Sequence, residues 1–513
     1  KVQARLQISD GGFLSFEENT ASGRRLQGML PNSADPAICE RIARALAPLS
    51  LSERGGSGGG ELANDVQLLD LLNLHSPDNV HINQTWRPRD LRDLLRVPIG
   101  IRSDGEPLIV DVKESAAGGM GPHGIVVGAT GSGKSELLRS LVTSLVVTHD
   151  PETLNFVLVD FKGGASFADL AELPHVSGMI TNLEGEQSLV ERMYATISGE
   201  MERRQVMLRN GGNLDNIRQY QAKRQSERSM EPMPYLMIIV DEFGELIANK
   251  PEFLELFIAI GRIGRSLGMH MLFATQRLEE GKIKGLEGHL RYRICLRTFT
   301  PAESSTMIGN PDAAYLPAFP GIGYFKVDNA ISLFKTALIT TPYRPASARA
   351  DTQIVIREFT PVGRLVKAAA SAPPPGVNGA HATTGGDPDT DMDKVIEHLV
   401  QESGPQARDT VHQIWLPPLP RKLPLAQALG MAHIQSMNGS RWQATPPLGP
   451  LRTPIGLLDR PEQQRQEPMI LDFSGAGGHV ALVGAPQSGK STLLRTLVAS
   501  LIITHSPRDV QIY

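Results

Sequence analysis

The stretch Gly128-Ala-Thr-Gly-Ser-Gly-Lys-Ser135 decides the fold. The apolar run Gly124–Val127 precedes it and Glu136–Val142 continues it at helical spacing, so the sequence predicts a strand, a glycine-rich turn and a helix. The pattern is G-x-x-x-x-G-K-[ST], in which glycines let successive backbone N–H groups turn inward around a phosphate. We therefore predict a nucleotide-binding loop. The alternative is a glycine-rich strand–helix turn that fits the pattern by chance.

The chemistry of a phosphate site gives the loop residues distinct expected roles. Lys134 would contact the β- and γ-phosphates, and the Ser135 hydroxyl would ligate Mg²⁺. The positive end of the helix dipole that begins near Lys134 would add to the attraction. The residues expected to bind ATP are Gly128, Ala129, Thr130, Gly131, Ser132, Gly133, Lys134, Ser135 and Glu136.

Composition sets the broad class of the protein. The chain has 513 residues, 41% of them hydrophobic, a net charge of −4 and a pI near 6.4, which gives no basic footprint for nucleic acid. Cys39 and Cys295 lie in separate predicted modules, so we expect a reducing compartment without a disulfide framework. No apolar run approaches the roughly 18 residues of a membrane span. The chain begins at Lys1 without Met and ends at Gln511–Tyr513 within a predicted strand, so we expect a piece of a longer protein.

Polar residues follow two further apolar runs. Tyr235–Val240 predicts a buried strand that ends at Asp241 and Glu242, where a Walker B acid pair belongs. Asp241 would hold Mg²⁺ and Glu242 would accept the proton of the attacking water as general base. Gln276 follows the next strand and would contact the γ-phosphate or orient water, since the carboxyl ends of parallel strands converge on one crevice. We predict Glu242, Lys134 and Gln276 as the catalytic residues. The alternative is an acid pair at the surface.

Two arginines are candidates for an arginine finger. A multimeric ATPase needs a positive group, often supplied by a neighbouring subunit, to stabilise charge on the transferred phosphoryl. Arg265 ends the segment Gly261–Arg265, and Arg297 ends a predicted strand. Each is alternatively an ordinary salt-bridge residue. His175 has no ligand-type partners at metal-binding spacing, so we expect it to be structural.

Strands alternate with helices in the main module, which predicts a mainly parallel sheet flanked by helices in a RecA-like α/β fold. The predicted helices are 35–46, 65–74, 89–96, 186–210, 253–268 and 391–401.

Composition divides the chain into five predicted parts. They are the end of a preceding domain (1–51), a Gly-rich linker with short helices (52–96), a first ATPase module (97–345), an extension with a flexible linker (346–392) and the start of a second ATPase module (393–513).

The second module is predicted from an internal repeat. Val97–Gly100 recurs as Thr453–Gly456, and Lys134 recurs as Lys490. Position 454 lies 356 residues after position 98, and position 490 lies 356 residues after position 134. A constant offset of this kind indicates tandem modules. The residues expected to form the second ATP site are Gly484, Ala485, Pro486, Gln487, Ser488, Gly489, Lys490 and Ser491.

Taken together, the motifs resemble the FtsK/SpoIIIE-type ATPases, and more closely the EccC-type motors of type VII (ESX) secretion. The stretches that carry the resemblance are Gly118–Gly124, Gly128–Glu136, Leu158–Gly164, Val240–Phe243, Gly261–His270, Gln276–Gly281 and Leu296–Phe299.

The resemblance implies a motor subunit that binds ATP and Mg²⁺ and powers protein export through a membrane complex. It also implies a homo-hexamer at the cytoplasmic face of the membrane, with anchor helices outside this chain. The expected partners are other membrane components and small helical-hairpin substrates recognised outside this segment, and no nucleic acid is expected. The linker and second module would restrain the first ATPase. One alternative is an FtsK-like translocase of double-stranded DNA, and another is an assembly scaffold that binds ATP with little turnover.

Overall fold

The computed structural model describes three strands near the N-terminus and residues 65–345, 389–428 and 449–513, apart from 162–165, 182, 184–185, 279–280, 282 and 476–477. The chain forms two compact units. The first is Lys1–Gly60 with Thr352–Thr384, and the second is Glu61–Asp351 with Gly385–Tyr513. The predicted helix 35–46, the Gly-rich run 55–60 and most of the predicted linker lie outside the described residues.

The first unit contains an antiparallel sheet of three strands. They are β1 (Ala4–Ile8), β2 (Leu14–Glu18) and β3 (Arg25–Met29), in the order β1-β2-β3. Apolar and polar residues alternate along residues 2–8 and 12–16, a pattern that predicts β1 and β2. It misses β3, because a five-residue strand with a glycine inside carries a weak signal.

The second unit is built on one large sheet. Its strands are β4 (Arg96–Arg102), β5 (Pro107–Asp111), β6 (His123–Val127), β7 (Leu154–Asp160), β8 (Val176–Thr181), β9 (Tyr235–Asp241), β10 (Met269–Thr275), β11 (Tyr292–Leu296), β12 (Ile322–Val327) and β13 (Ala330–Thr336). The order across the sheet is β5-β4-β13-β12-β11-β6-β10-β9-β7-β8. Strands β6 to β11 pair in parallel, and the other four pair antiparallel at one side. The predicted α/β fold class is confirmed.

Helices cover the sheet and continue beyond it. They are α1 (Leu68–Leu71), α2 (Ile82–Thr85), α3 (Lys134–Thr148), α4 (Gln187–Asn210), α5 (Ile217–Ser226), α6 (Phe243–Asn249), α7 (Glu252–Leu267), α8 (Pro301–Ile308), α9 (Asp391–Ser403), α10 (Leu425–Ala428) and α11 (Lys490–Thr504). In the part of the chain that the structure describes, no helix is long and apolar enough to cross a bilayer. Cys295 is a buried free thiol.

The core of the second unit lies on both faces of its parallel strands. Every residue of β7, β9 and β10 is buried. A parallel sheet that is covered on both faces needs such continuous apolar strands, because neither face of the strand meets water. The continuous apolar runs in the sequence therefore predict where these three strands lie.

The prediction of a helix at 89–96 is wrong. These residues form turns, and β4 begins at Arg96. Lys113 Nζ binds the carbonyls of Arg92 and Leu94 at 3.1 and 2.8 Å, while the Leu95 N–H donates to His149 Nε2 at 2.9 Å. Side chains that are distant in sequence therefore satisfy the backbone groups that a helix would have paired. Helix α1 is likewise shorter than the predicted 65–74.

The hairpin and the helix of the second module repeat the geometry of their counterparts in the first. A hairpin of β14 (Arg452–Arg460) and β15 (Arg465–Asp472), which we call the second-module hairpin, corresponds to β4–β5. Ser144 Oγ on α3 donates to Pro98 O at 3.0 Å, and Ser500 Oγ on α11 donates to Pro454 O at 2.6 Å. Ser500 and Pro454 each lie 356 residues after Ser144 and Pro98, so the repeat extends to individual hydrogen bonds. Residues 511–513, where a strand is predicted, have no regular secondary structure.

Candidate nucleotide-binding site

The predicted site residues lie at one edge of the sheet. Strands β6, β10 and β9 are neighbours and run in parallel. Their carboxyl ends lead directly into Gly128, Gln276 and Asp241–Glu242. This adjacency explains why three segments that are far apart in sequence meet around one loop.

Hydrogen bonds and glycine geometry fix the first loop. The N–H of Gly128 donates to Thr275 O at 3.2 Å, and the N–H of Ala129 donates to Arg297 O at 2.8 Å. These two groups therefore hold the loop against the ends of β10 and β11. Gly131 and Gly133 have φ angles of 77° and 94°. A residue with a Cβ would cost about 1–2 kcal/mol in such a left-handed conformation.

Lys134 lies between two carboxylates. It is buried at the start of α3, and its Nζ bonds Asp241 and lies 3.4 Å from Glu242 Oε1. Buried charges in proteins are paired, so the acid pair stabilises the ammonium inside the site. The phosphates of a bound nucleotide would compete with Asp241 for the same ammonium group.

A chain of side chains joins the loop to Glu242. Thr130 Oγ1 donates to Gln276 Oε1 at 2.6 Å, and Gln276 Nε2 donates to Glu242 Oε1 at 2.6 Å. Glu242 itself has a φ of 57°. This left-handed backbone is rare for a non-glycine residue, and such strain clusters at functional sites. The amide of Gln276 thus sets the position of one Glu242 oxygen.

Asp241 has a second partner that the sequence analysis misses. Ser166 Oγ donates to Asp241 Oδ2 at 2.9 Å. The N–H of Ser166 donates to Asp160 Oδ2 at 3.3 Å, and its carbonyl accepts from Arg139 Nε at 3.2 Å. The sequence signal that could have indicated this contact is Asp160, which ends β7. Strand β7 is the neighbour of β9 in the sheet, and β9 ends at Asp241. Residues 162–164 of the resembling motif lie outside the described residues.

The carboxylate of Glu136 is already engaged elsewhere. It accepts from the N–H groups of Ile339 and Thr340 at 2.7 and 3.1 Å, and from Thr340 Oγ1 at 2.6 Å. A contact of Glu136 with ATP stays a prediction, which its backbone N–H in the first turn of α3 could serve while the carboxylate is engaged. Its side chain ties α3 to the segment that follows β13.

The two candidate arginines lie at opposite edges of the sheet. Arg297 follows β11 and its carbonyl accepts from the loop, so it is next to the site of its own chain. Arg265 precedes β10, at the amino edge of the parallel strands, and its Nε lies 3.4 Å from Glu114 Oε2. A role in trans remains a prediction for both residues.

The second loop has positive φ angles at the same two positions as the first. Gln487 and Gly489 have φ angles of 60° and 92°, and they correspond to Gly131 and Gly133 by the repeat offset. Lys490 begins α11, and its Nζ bonds the carbonyls of Gly484 and Ala485 at 2.6 Å.

Oxygen donors suit Mg²⁺, and the site offers them at the expected positions. A P-loop site holds Mg²⁺ with a Ser or Thr hydroxyl and a Walker B aspartate, which matches Ser135 and Asp241. Among the described residues, no cluster of three or more His, Cys, Asp or Glu has the geometry of a metal site. His175 is buried, bonds His149 O at 2.8 Å and packs edge-on against Trp86 at 5.2 Å, which gives it a structural role.

The comparisons with known proteins agree with this geometry. The model of the FtsK/SpoIIIE family matches residues 83–280 and 450–513, which include both loops and just over half of the chain. The chain therefore belongs to the FtsK/SpoIIIE family of P-loop ATPases.

The relatives narrow the comparison further. The chain is 46% identical to the ESX secretion system protein EccC of Thermomonospora curvata, over 94% of this chain and 36% of that protein. It is 43% identical to the ESX-4 secretion system protein EccC4 of Mycobacterium tuberculosis, over 94% of this chain and 37% of that protein. The solved cytoplasmic domain of the T. curvata type VII secretion ATPase EccC matches with a TM-score of 0.73 and 45% identity, over 88% of this chain and 47% of that one. The chain thus spans a little over a third of the length of these curated relatives.

Proposed function

We propose that the chain is the ATP-binding and ATP-hydrolysing part of a motor subunit that powers protein export through a type VII secretion complex. The observation that carries the proposal is the continuous contact from Thr130 through Gln276 to Glu242 and on to Lys134 and Asp241. This arrangement brings a cation, two carboxylates and an amide together at a phosphate loop. The names and identities of the relatives supply the link to secretion.

Each site residue has a role in the proposed reaction. Lys134 neutralises charge on the β- and γ-phosphates. Ser135 and Asp241 would hold Mg²⁺, which supplies further charge neutralisation when bound. Glu242 accepts a proton from the attacking water, and Gln276 holds Glu242 in place while it does so. Arg297 and Arg265 are proposed as candidates for the positive group at the transferred phosphoryl.

The setting of the motor is also part of the proposal. The similarity to the cytoplasmic domain of a type VII secretion ATPase supports a location at the cytoplasmic face of a membrane complex. We propose a homo-hexamer whose partners are other components of that complex. The second loop would be a second ATP site.

Hydrolysis measurements test the proposal. Glu242→Gln should lower the rate of ATP hydrolysis by about 100-fold or more, since a positioned general base contributes about 10²–10⁴-fold. Lys134→Ala should also weaken ATP binding. Equal, near-background rates for wild type and Glu242→Gln would favour a scaffold that binds ATP. Stimulation by double-stranded DNA with steep salt dependence would favour a DNA translocase.

A further inference from the structure

Two large aromatic side chains project from the turn before β12. Tyr315 is 74% exposed and Phe319 is 70% exposed. Between them Leu316 packs against the core, and Ala313 is buried just before them. The segment is therefore anchored, and its two aromatic side chains face outward from a fixed backbone. Removing such apolar surface from water is favourable, so a bound partner would gain from contacting both side chains.

Backbone contacts tie this turn to the phosphate loop. The N–H of Gly321 donates to Ser132 O at 2.8 Å, and Gly321 O accepts from the N–H of Thr336 at 2.7 Å. A Cβ at Gly133 would overlap the backbone nitrogen of Gly321, so the two glycines approach as closely as backbones can. The loop, the turn and β13 therefore form one connected surface.

The other end of the turn is also fixed. The N–H of Thr298, just after β11, donates to Ala313 O at 3.3 Å, and the N–H of Ala313 donates to Ser304 Oγ at 3.0 Å. The position of Tyr315 is thus set by the carboxyl end of β11. Both ends of the segment are held at the edge of the sheet that carries the phosphate loop.

Sheet topology places the turn on the side of the loop away from the acid pair. Strand β11 lies between β6 and β12, so β12 is two strands from β6, or about 10 Å. Gln276, Glu242 and Asp241 follow β10 and β9 on the opposite side of β6. The γ-phosphate belongs with those catalytic groups. The nucleoside end of the same molecule is therefore directed towards β11 and β12.

We propose that Tyr315 and Phe319 form the platform on which the base of a nucleotide bound at the first loop stacks. A purine has two flat apolar faces, and aromatic side chains stack on them whatever the base. The phosphate loop recognises phosphates only, so this platform distinguishes a nucleotide from an inorganic polyphosphate. The inference rests on the proposed function, because it requires that the loop bind ATP.

The test compares the binding of ATP and inorganic tripolyphosphate by calorimetric titration of the chain. Tyr315→Ala and Phe319→Ala should each raise the Kd for ATP by about 5- to 150-fold, the range that corresponds to about 1–3 kcal/mol of base stacking. The Kd for tripolyphosphate should stay within about twofold of wild type. Tyr315→Phe should retain the affinity for ATP, because the ring remains.

Phe299 supplies a matched control. It is an aromatic residue at the same edge and is 49% exposed, but Arg277 already stacks on its ring at 5.1 Å. Phe299→Ala should leave the Kd for ATP unchanged. The platform is refuted if the two alanine variants bind ATP as wild type does, or if they lose tripolyphosphate equally. A wild type that binds neither ligand would refute the proposed function, and the platform with it.

Discussion

Arg192→Ala would remove a buried charge from the contact between α4 and the second-module hairpin. Arg192 forms an ion pair with Asp459 on β14, and its Nε and Nη2 donate to Leu416 O at 3.1 and 2.9 Å. Its guanidinium also lies 5.5 Å from the centre of the Trp415 ring. The side chains of Arg192 and Asp459 are 8% and 19% exposed, so solvent screens this pair weakly.

The expected magnitude follows from that burial. Removing one partner of a buried ion pair costs about 3–5 kcal/mol, because the remaining charge is left without compensation. Since each 1.4 kcal/mol is a factor of ten, the hairpin should open about 150- to 4,000-fold more often. Amide hydrogen exchange in β14 and β15 reports this opening directly. Asp459→Asn should have a smaller effect, because Leu416 O still accepts from Arg192.

Arg460 provides the control for the same hairpin. It pairs with Glu467 at 2.9 Å, but both side chains are more than a third exposed. An exposed pair contributes about 0–1 kcal/mol, so Arg460→Ala should change exchange by less than about tenfold. The reasoning is refuted if Arg192→Ala accelerates exchange in β14 and β15 no more than Arg460→Ala does. If the second module restrains the first, as the resemblance implies, hydrolysis should rise in Arg192→Ala alone.

Three further predictions concern the site and the core. Thr130→Val removes the donor that fixes the Gln276 amide, so kcat should fall about tenfold, the worth of one hydrogen bond, while Thr130→Ser stays near wild type. Gly131→Ala should weaken ATP binding and cost about 1 kcal/mol of stability, whereas Gly105→Ala, at a similar φ of 83° in the β4–β5 turn, should cost stability alone. Burial lowers the pKa of four described histidines, to about 3 for His123 and His149 and to about 4 for His175 and His270. Because the unfolded chain takes up these protons first, near pH 6.5, stability is complete above that pH and is lost as the pH falls towards 4. Urea unfolding should show a loss of about 1.4 kcal/mol per pH unit for each histidine, and a free energy of unfolding that is flat from pH 7 to 5 would contradict this.

Patterns that are local in sequence predict most of the second unit. The helix expected at 186–210 is α4 at Gln187–Asn210, and the helix expected at 253–268 is α7 at Glu252–Leu267. Buried parallel strands can be predicted from continuous apolar runs in the sequence, as in β9 and β10. The positions of the acid pair and of Gln276 can be predicted from those strands, because residues just after adjacent parallel strands lie close together.

Contacts between distant residues account for what the sequence could not predict. The sequence of residues 89–96 predicts a helix. In the structure, Lys113 and His149 form hydrogen bonds with the backbone groups of this segment. Ser166 belongs to no pattern, and its importance depends on the distance to Asp241. Glu136 was expected at the nucleotide, but the segment at 339–340 takes its carboxylate. None of these partners is separated by a fixed spacing that periodicity could reveal.

The two copies of the loop separate what a short motif encodes from what its surroundings add. Gly131 and Gln487 share a left-handed backbone although only one is glycine, so the turn is a property of the motif. Both lysines take the first position of a helix, and in the first module Lys134 is buried against Asp241 and Glu242. The two carboxylates that pair with Lys134 come at and just after the end of β9, more than 100 positions after the first loop. The motif therefore specifies a phosphate-shaped turn, and in the first module a strand that is distant in sequence brings two carboxylates to it.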